Sequence, residues 1–426
     1  MPVDLAAVDR QSAPHRVVFA VYRDGDNNLD EAQERNVTDF VKSTAQNPAL
    51  KVIAEDTTAL PKSPFPAGAL RSEWSVIQNG QQHVTRVTPP VDMSNRRSLS
   101  NFVEQTLETR FHDPQFRHAD VWIDLVDHGG GDGGGLQADI SGGFMGLQDI
   151  AGAIADGRAQ FNKKCPQGDD SVTGVLANQC LMATVGFADA LSHSGVRYLA
   201  ASPETMIAPG VPSAKFADVL TRNDEDWAQQ AVDVTMKARY GGVEGWHPAA
   251  AFDVLDLDAG KVGAMRSAVT SFNDAVDALP HSQEGRETLR DIRSDVRSVR
   301  GMVRFDHSKD MPWHADRPAI ATYETVAGDE RLPQAIRGAA QAAAQEIGGI
   351  VLAHEESLNF GPFHASYADA VGPTAHLPVS KASYDSWADR GVVETHNDFY
   401  DAVHGADFSR SIGAYNRLQD AAGALA

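Results

Sequence analysis

The sequence predicts an α/β protein: a mostly parallel sheet covered by helices on both faces, followed by a mainly helical C-terminal region. Two features predict it. From Arg16 to about Asp258, short apolar runs alternate with helix-like stretches, and the runs are too continuously apolar for strands with one wet face. After about Gly260 this alternation gives way to long stretches of helical period. A chain of 426 residues has room for two or three domains. The expected division is an N-terminal arm at 1–15, an α/β domain at 16–260 and a helical or mixed subdomain at 261–426 packed on it.

The elements follow in order. RVVFAVY (Arg16 to Tyr22) is a β-branched and aromatic run that stops at the turn-rich DGDNN. Asp26 or Asn28 is placed to cap a helix from about Leu29 to Ser43. LKVIAE (Leu50 to Glu55) is the second strand, and WSVIQNGQQHVTRV reads as a hairpin turning at Asn79-Gly80. From Ser98 to Arg110, Leu99, Phe102, Val103 and Leu107 share one helical face. The strand VWIDLV follows, then a helix near Leu147 to Gln160, the strand VTGVLAN, a helix in LMATVGFADALSH and the strand VRYLAAS (Val196 to Ser202).

Lys261 to Leu279 is helical. In GRETLRDIRSDVRSVRGMVRF, an apolar seam of Leu289, Ile292, Val296, Val299 and Val303 runs beside a basic one of Arg286, Arg290, Arg293, Arg297, Arg300 and Arg304. In an acidic protein this reads as an amphipathic helix whose arginines pair with Glu287, Asp291 and Asp295, ahead of a polyanion-binding helix. A long Ala-rich helix is expected from Leu332 to His354.

Composition narrows the function classes. A formal charge of -21 argues against nucleic acid and anionic membrane as partners, because both need local positive potential. No run reaches the roughly 18 apolar residues of a membrane span. The opening MPVDLAAVDRQSAPH lacks the basic start and apolar core of a signal peptide, which predicts a cytoplasmic location unless a leader precedes it. The two cysteines, Cys165 and Cys180, are few for a disulfide-stabilised secreted chain, which leaves room for one of them to do chemistry.

The stretch VWIDLVDHGGGDGGGL puts a glycine loop directly behind His128, and three readings compete for it. Gly129, Gly131 and Gly134 fit a bare GxGxxG, but the following LQADISGGFMG does not open a helix to hold a pyrophosphate. The earlier DGDNNLDEAQER has Asp24, Asp26 and Asn28 at calcium-loop spacing, yet Leu29 stands where glycine is needed and Arg35 where the bidentate acid belongs. An Asx-rich turn explains it better. The third reading pairs His128 with Cys180, since both lie just past a strand at the edge where α/β sheets gather their chemistry. Cys180 is expected at a helix N-terminus, where the dipole favours thiolate, and an imidazole would complete its activation. Backbone without Cβ behind His128 leaves amide N–H groups open to an oxyanion. Taken singly, Cys180 reads as a small buried hydrophobe and His128 as a locally bonded strand end. Only the pairing explains the histidine and the glycines together.

In this order, YRDGDNNLDE, VDMSNRRSLSNFV, LVDHGGG, NQCLMATVGFADAL and YLAASPET resemble the clostripain family of cysteine peptidases, which share a caspase-like fold. AAFDVLDLDAGKV and AVGPTAHLP match more loosely. The resemblance covers about Arg16 to Asp258. It implies a Cys-His dyad with Cys180 as nucleophile, His128 as general acid/base, and an oxyanion hole from the backbone N–H groups of Gly129 and Cys180. It also implies peptide or protein substrates, cleavage after arginine or lysine in many members, no required cofactor, a response to calcium in some, and self-cleavage between the histidine and cysteine segments in some.

Two positions depart from the family pattern. Asn178 stands two residues before the cysteine, where members usually carry an aspartate that holds a basic substrate side chain, and an amide lacks the charge for that. Asp127 and Glu204 are the candidate substitutes. GDGGGLQ replaces the tryptophan that often follows the glycines. For self-cleavage, DGRAQFNKKCPQGDD offers Arg158, Lys163 and Lys164 in a stretch that reads as a polar loop suited to nicking. The alternative from another class is a catalytically idle caspase-like scaffold that binds peptides or proteins, and Asn178 keeps it open.

Overall fold

The computed structural model describes residues 15–27, 35–60, 69–137, 143–239, 248–280, 282–300, 316–358 and 370–377. Its centre is the β-branched run β1 (Val17–Gly25), buried along its whole length. Parallel neighbours flank it, β2 (Leu50–Ala59) on one side and β5 (Asp120–Val126) on the other. Past β5 come β6 (Gly174–Asn178) and β7 (Tyr198–Ala201), both parallel, then β8 (Ala251–Asp256) and β10 (Val351–Glu356), both antiparallel. On the β2 side, β3 (Leu70–Gln78) and β4 (Gln81–Val87) complete the sheet as an antiparallel hairpin. The order is therefore β10-β8-β7-β6-β5-β1-β2-β3-β4. The hairpin turns at Asn79 and Gly80, whose φ values of 51° and 73° are those the Asn-Gly pair tolerates.

Strand order, not chain direction, switches at β1: β2 is added on one side and β5 on the other, so the carboxyl ends of β1, β5 and β6 open onto the crevice where such sheets bind ligands. On β5 alone, Val121, Ile123 and Leu125 feed one core while Trp122 and Val126 feed the other. The second face is covered by α1 (Arg35–Gln46), α5 (Ser213–Leu220) and α6 (Trp227–Met236), with Phe40, Phe216 and Val232 packed inward. The first face carries α2 (Arg96–His112), α3 (Leu147–Lys164) and α4 (Val185–His193). The C-terminal helices α7 (Ala259–Asp277), α8 (Gln283–Ser298), α9 (Ala319–Gly328) and α10 (Gln334–Ile350) extend that core. Phe272 of α7 meets Tyr323 of α9 with ring centroids 5.2 Å apart. Arg266 of α7 grips the buried Asp189 of α4 through Nε at 2.8 Å and Nη2 at 2.6 Å.

Four expectations change. The Ala-rich helix ends at Ile350, and VLAHEE becomes the edge strand β10. The helix after Cys180 starts only at Val185, where Thr184 accepts the Phe187 N–H as its cap. Leu181, Met182 and Ala183 are buried in the loop before it, which gave them the apolar look of helix. In α8, Asp291 and Asp295 face Arg331 of the next helical turn region at 3.4 and 3.6 Å, a partner from outside the helix. The predicted start of α1 and Val303 of the apolar seam lie outside the described residues. A small second sheet, β9 (Asp316–Pro318) against β11 (Thr374–His376), was not foreseen. Among the described residues no helix is long and apolar enough to cross a membrane.

Candidate active site

Strand register builds the site. β5 and β6 are adjacent and parallel, with Val126 beside Asn178. His128 and Cys180 each stand two residues beyond that pair, on neighbouring strands spaced about 4.8 Å apart. Both are part-exposed among buried neighbours. The chains past the strand ends touch: a Cβ on Gly129 would lie 2.1 Å from the Cys180 carbonyl oxygen, so only glycine fits behind the histidine.

The glycine loop folds back on itself. Gly131–Gly133 make one 3-10 turn, closed by Gly130 N–H to Gly134 O at 2.8 Å. Gly134 needs φ +106°, and a Cβ there would meet Met145 O at 2.2 Å. Leu136 N–H then donates to His128 O at 3.2 Å, tying the loop's end to its start. Among the described residues no α-helix begins directly behind the glycines, which argues against the dinucleotide reading.

Cys180 sits in a comparable clamp. Leu181 and Ala183 donate to Glu204 O and Ser202 O at 3.1 and 2.9 Å, and the Met206 N–H points at the Cys180 sulfur at 3.2 Å. Leu181 takes φ 66°, a left-handed conformation unusual for leucine and held here by burial on all sides. Burial pushes the Cys180 thiol above its usual range, and the charges of Glu204 and Asp127 push the same way against the Met206 N–H. The expected dipole assistance is therefore corrected. With α4 starting five residues on, its N-terminus does not abut the sulfur.

The expected substrate-binding residues are engaged within the fold. Asn178 accepts the Val211 N–H at 2.8 Å and donates to Ser213 Oγ at 3.2 Å, fastening the loop before α5. Asp127 accepts Asn27 Nδ2 at 2.6 Å, and burial, with the Asp24 charge adding, holds its carboxyl well above the normal range. Glu204 is fully buried and accepts the Thr205 N–H at 2.7 Å. Asp127 and Glu204 are within electrostatic reach of the sulfur; Asn178 faces away to its loop. Cys165 and Cys180 are both free thiols.

The stretch expected as a nicking loop is largely helix. α3 runs through Lys164, and the loop begins at Cys165. Arg158 is mid-helix, with its Nε on Asp170 O at 2.9 Å. Lys163 is exposed in the last turn, and Lys164 bridges Glu104 and Glu108 at 2.5 and 3.0 Å. In DGDNN, Asp24 accepts the Asp26 N–H at 3.0 Å as an Asx turn, and Asn28 lies outside the described residues. Among the described residues no group of three or more His, Cys, Asp or Glu is arranged to hold a metal ion.

Sequence reasoning missed Gln179. Its amide is buried between the two loops, with Oε1 2.8 Å from where a Gly135 Cβ would stand. A long polar residue closing an apolar strand was the available signal. It also missed Asp316, whose carboxylate lies against Gly131.

The fold is the caspase-like α/β fold of the C11, clostripain-family, cysteine proteases. The similarity is structural. A secreted C11 cysteine protease from Bacteroides thetaiotaomicron, iotapain, matches with TM-score 0.62 and 12% identity over 89% of this chain and 98% of that one. An inactive zymogen C11 protease from Parabacteroides distasonis matches with TM-score 0.60 and 13% identity, over 92% of this chain and 99% of that one. A secreted C11 protease from Bacteroides thetaiotaomicron in complex with an irreversible peptide inhibitor gives 0.58 and 13%, over 91% and 99%. No protein-family model matches the chain, and no curated protein matches it.

Proposed function

We propose that the chain is a cysteine endopeptidase using Cys180 and His128. The observation that supports the proposal is the β5–β6 register, in which Val126 pairs with Asn178 and His128 and Cys180 each follow two residues later past adjacent parallel strand ends. His128 takes the thiol proton as sulfur attacks the peptide carbonyl carbon. The oxyanion that forms faces the N–H groups of Gly129 and Cys180. The imidazolium then protonates the leaving amine as the C–N bond breaks. Water attacks the thioester with His128 as base, the acid departs, and the proton returns to sulfur. Burial disfavours a resting thiolate, so in this reading the proton passes to His128 as the sulfur attacks.

The substrate is a peptide or protein. Preference for a basic side chain rests on the Glu204 carboxylate near the sulfur and on the net charge of -21, which draws cations in. Self-processing belongs to the same proposal. Its favoured sites are Lys163 and Lys164 in the last turn of α3, beside the loop that begins at Cys165, ahead of the mid-helix Arg158. The raised thiol pKa favours the second reading, an idle scaffold that binds peptides. The similarity to secreted proteases leaves secretion beside the cytoplasmic expectation.

One experiment separates these readings. The protein is treated with a library of peptidyl electrophiles, with and without calcium, and adducts are located by mass spectrometry. Labelling of Cys180 that is lost in His128→Ala supports the peptidase, and the best peptide gives its preference. An unreactive Cys180 in every arm leaves the scaffold.

A further inference from the structure

Behind the glycine loop lies a buried, hydrogen-bonded aspartate–histidine pair that the chemistry above does not use. Asp316 and His376 face each other across the ribbon of β9 and β11, with Oδ1 and Nδ1 2.8 Å apart and both side chains almost fully buried. A Cβ on Gly131 would fall 2.3 Å from Asp316 Oδ2, so the carboxylate fills the space a side chain would need, three residues after His128. The same ribbon touches the other loop. Thr374 N–H donates to Ala183 O at 2.9 Å, three residues after Cys180, and Thr374 bridges Thr184 in parallel. The ribbon is anchored from behind by Ala319 N–H on Pro373 O at 3.1 Å and by the Arg317 guanidinium on Val299 O.

We propose that Asp316, oriented by His376, is a positioning residue for the His128 loop, and that the β9–β11 ribbon sets the spacing between that loop and the Cys180 loop. The physical reason lies in the choice of residues. A buried polar or charged pair stabilises a fold little better than two packed apolar side chains would, but its hydrogen bond fixes direction. Here the fixed direction runs from His376 through Asp316 to a glycine whose φ of +64° no other residue adopts readily. Backbone hydrogen bonds close the loop bearing the base on itself and on Met145. A shift of about 1 Å between base and nucleophile is enough to cost roughly a hundredfold in rate.

This rests on the Cys180–His128 proposal, and its test is chosen to fail separately. Asp316→Asn and the double variant Asp316→Leu/His376→Leu are compared with the parent for melting temperature, for kcat and KM on the best peptide, and for amide hydrogen exchange at 129–136 and 181–184. Expected are a fall in kcat of about tenfold or more with KM within about twofold, and faster exchange in both loops together. The double variant, which keeps a packed core, should melt near the parent yet show the same loss. His376→Asn, which retains a donor toward Asp316, should recover most of the kcat lost in His376→Ala. Parental kcat in the double variant, or faster exchange confined to the ribbon, overturns the proposal. A parent with no Cys180-dependent turnover refutes the peptidase alone, and the exchange data then decide the ribbon's role.

Discussion

The α/β region up to Asp256 and the C-terminal region beyond it use burial differently. In the first, chemically useful side chains stand at the ends of buried parallel strands, and backbone hydrogen bonds from 202–206 and 134–136 hold them. In the second, long helices contribute apolar surface to the same core, and the ribbon brings Asp316 and His376 up to the glycine loop. The difference teaches that strand register brings the His128 and Cys180 segments to one edge of the sheet, while the C-terminal region supplies volume to the core behind them. Losing a strand-end group should remove activity and spare the fold; losing a C-terminal core group should do the reverse.

The largest effects should come from the dyad. Cys180→Ala should lower kcat/KM by about a thousandfold or more, and His128→Ala by about a hundredfold to ten-thousandfold. Both should melt within a few degrees of the parent. A His128→Ala protein with near-parental turnover would break the comparison at its root. Gly129→Ala comes next. Its methyl would meet the Cys180 carbonyl at 2.1 Å, so the loops must part, at about 1–3 kcal/mol of stability with a loss of rate near that of the dyad variants. A crystal structure of that variant with unmoved loops would refute the close approach.

Phe272→Ala tests the opposite pole. Phe272 is buried against Tyr323, and truncation should cost about 3–5 kcal/mol by urea unfolding while kcat at a permissive temperature stays within about twofold. A specific fall in kcat with little loss of stability would mean that α7 and α9 bear on the dyad directly.

How much of this was legible follows the same division. Strands buried on both faces announce themselves as apolar runs, so β1, β2, β5 and β6 were visible, and with them the ends that carry His128 and Cys180. Asn79-Gly80 gave its turn away by conformational preference. The start of α4 was misread because a buried loop and a buried helix have the same apolar composition, although Thr184 offered a cap. The Gly348-Gly349 pair was the unused sign that the Ala-rich helix stops before VLAHEE. Asp316 and His376, 60 residues apart, meet through a three-residue ribbon too short to have a period. The roles of Asn178, Asp127 and Glu204 depended on where side chains point, which spacing does not encode.

The smallest effect sharpens the comparison inside the α/β region itself. Asp124 on β5 is fully buried beneath the Asn178–Ser213 fastening, and burial raises its carboxyl to about 7, with the Ser213 hydroxyl only partly offsetting this. The unfolded chain has an ordinary aspartate near 4. A folded pKa above the unfolded one means the native state holds the proton longer. The stability it permits is therefore complete below about pH 4 and declines as pH rises through about 7. Asp124→Asn removes the proton dependence but leaves a buried amide, so the net gain at pH 8.5 should be on the order of 1 kcal/mol, or roughly 2 °C in melting temperature. At pH 4 and below, before the unfolded aspartate ionises, that gain should be gone, and it should grow between about pH 4 and pH 7. A gain of equal size at both pH values would show that Asn improves packing, and that Asp124 carries no ionisation cost in the folded sheet.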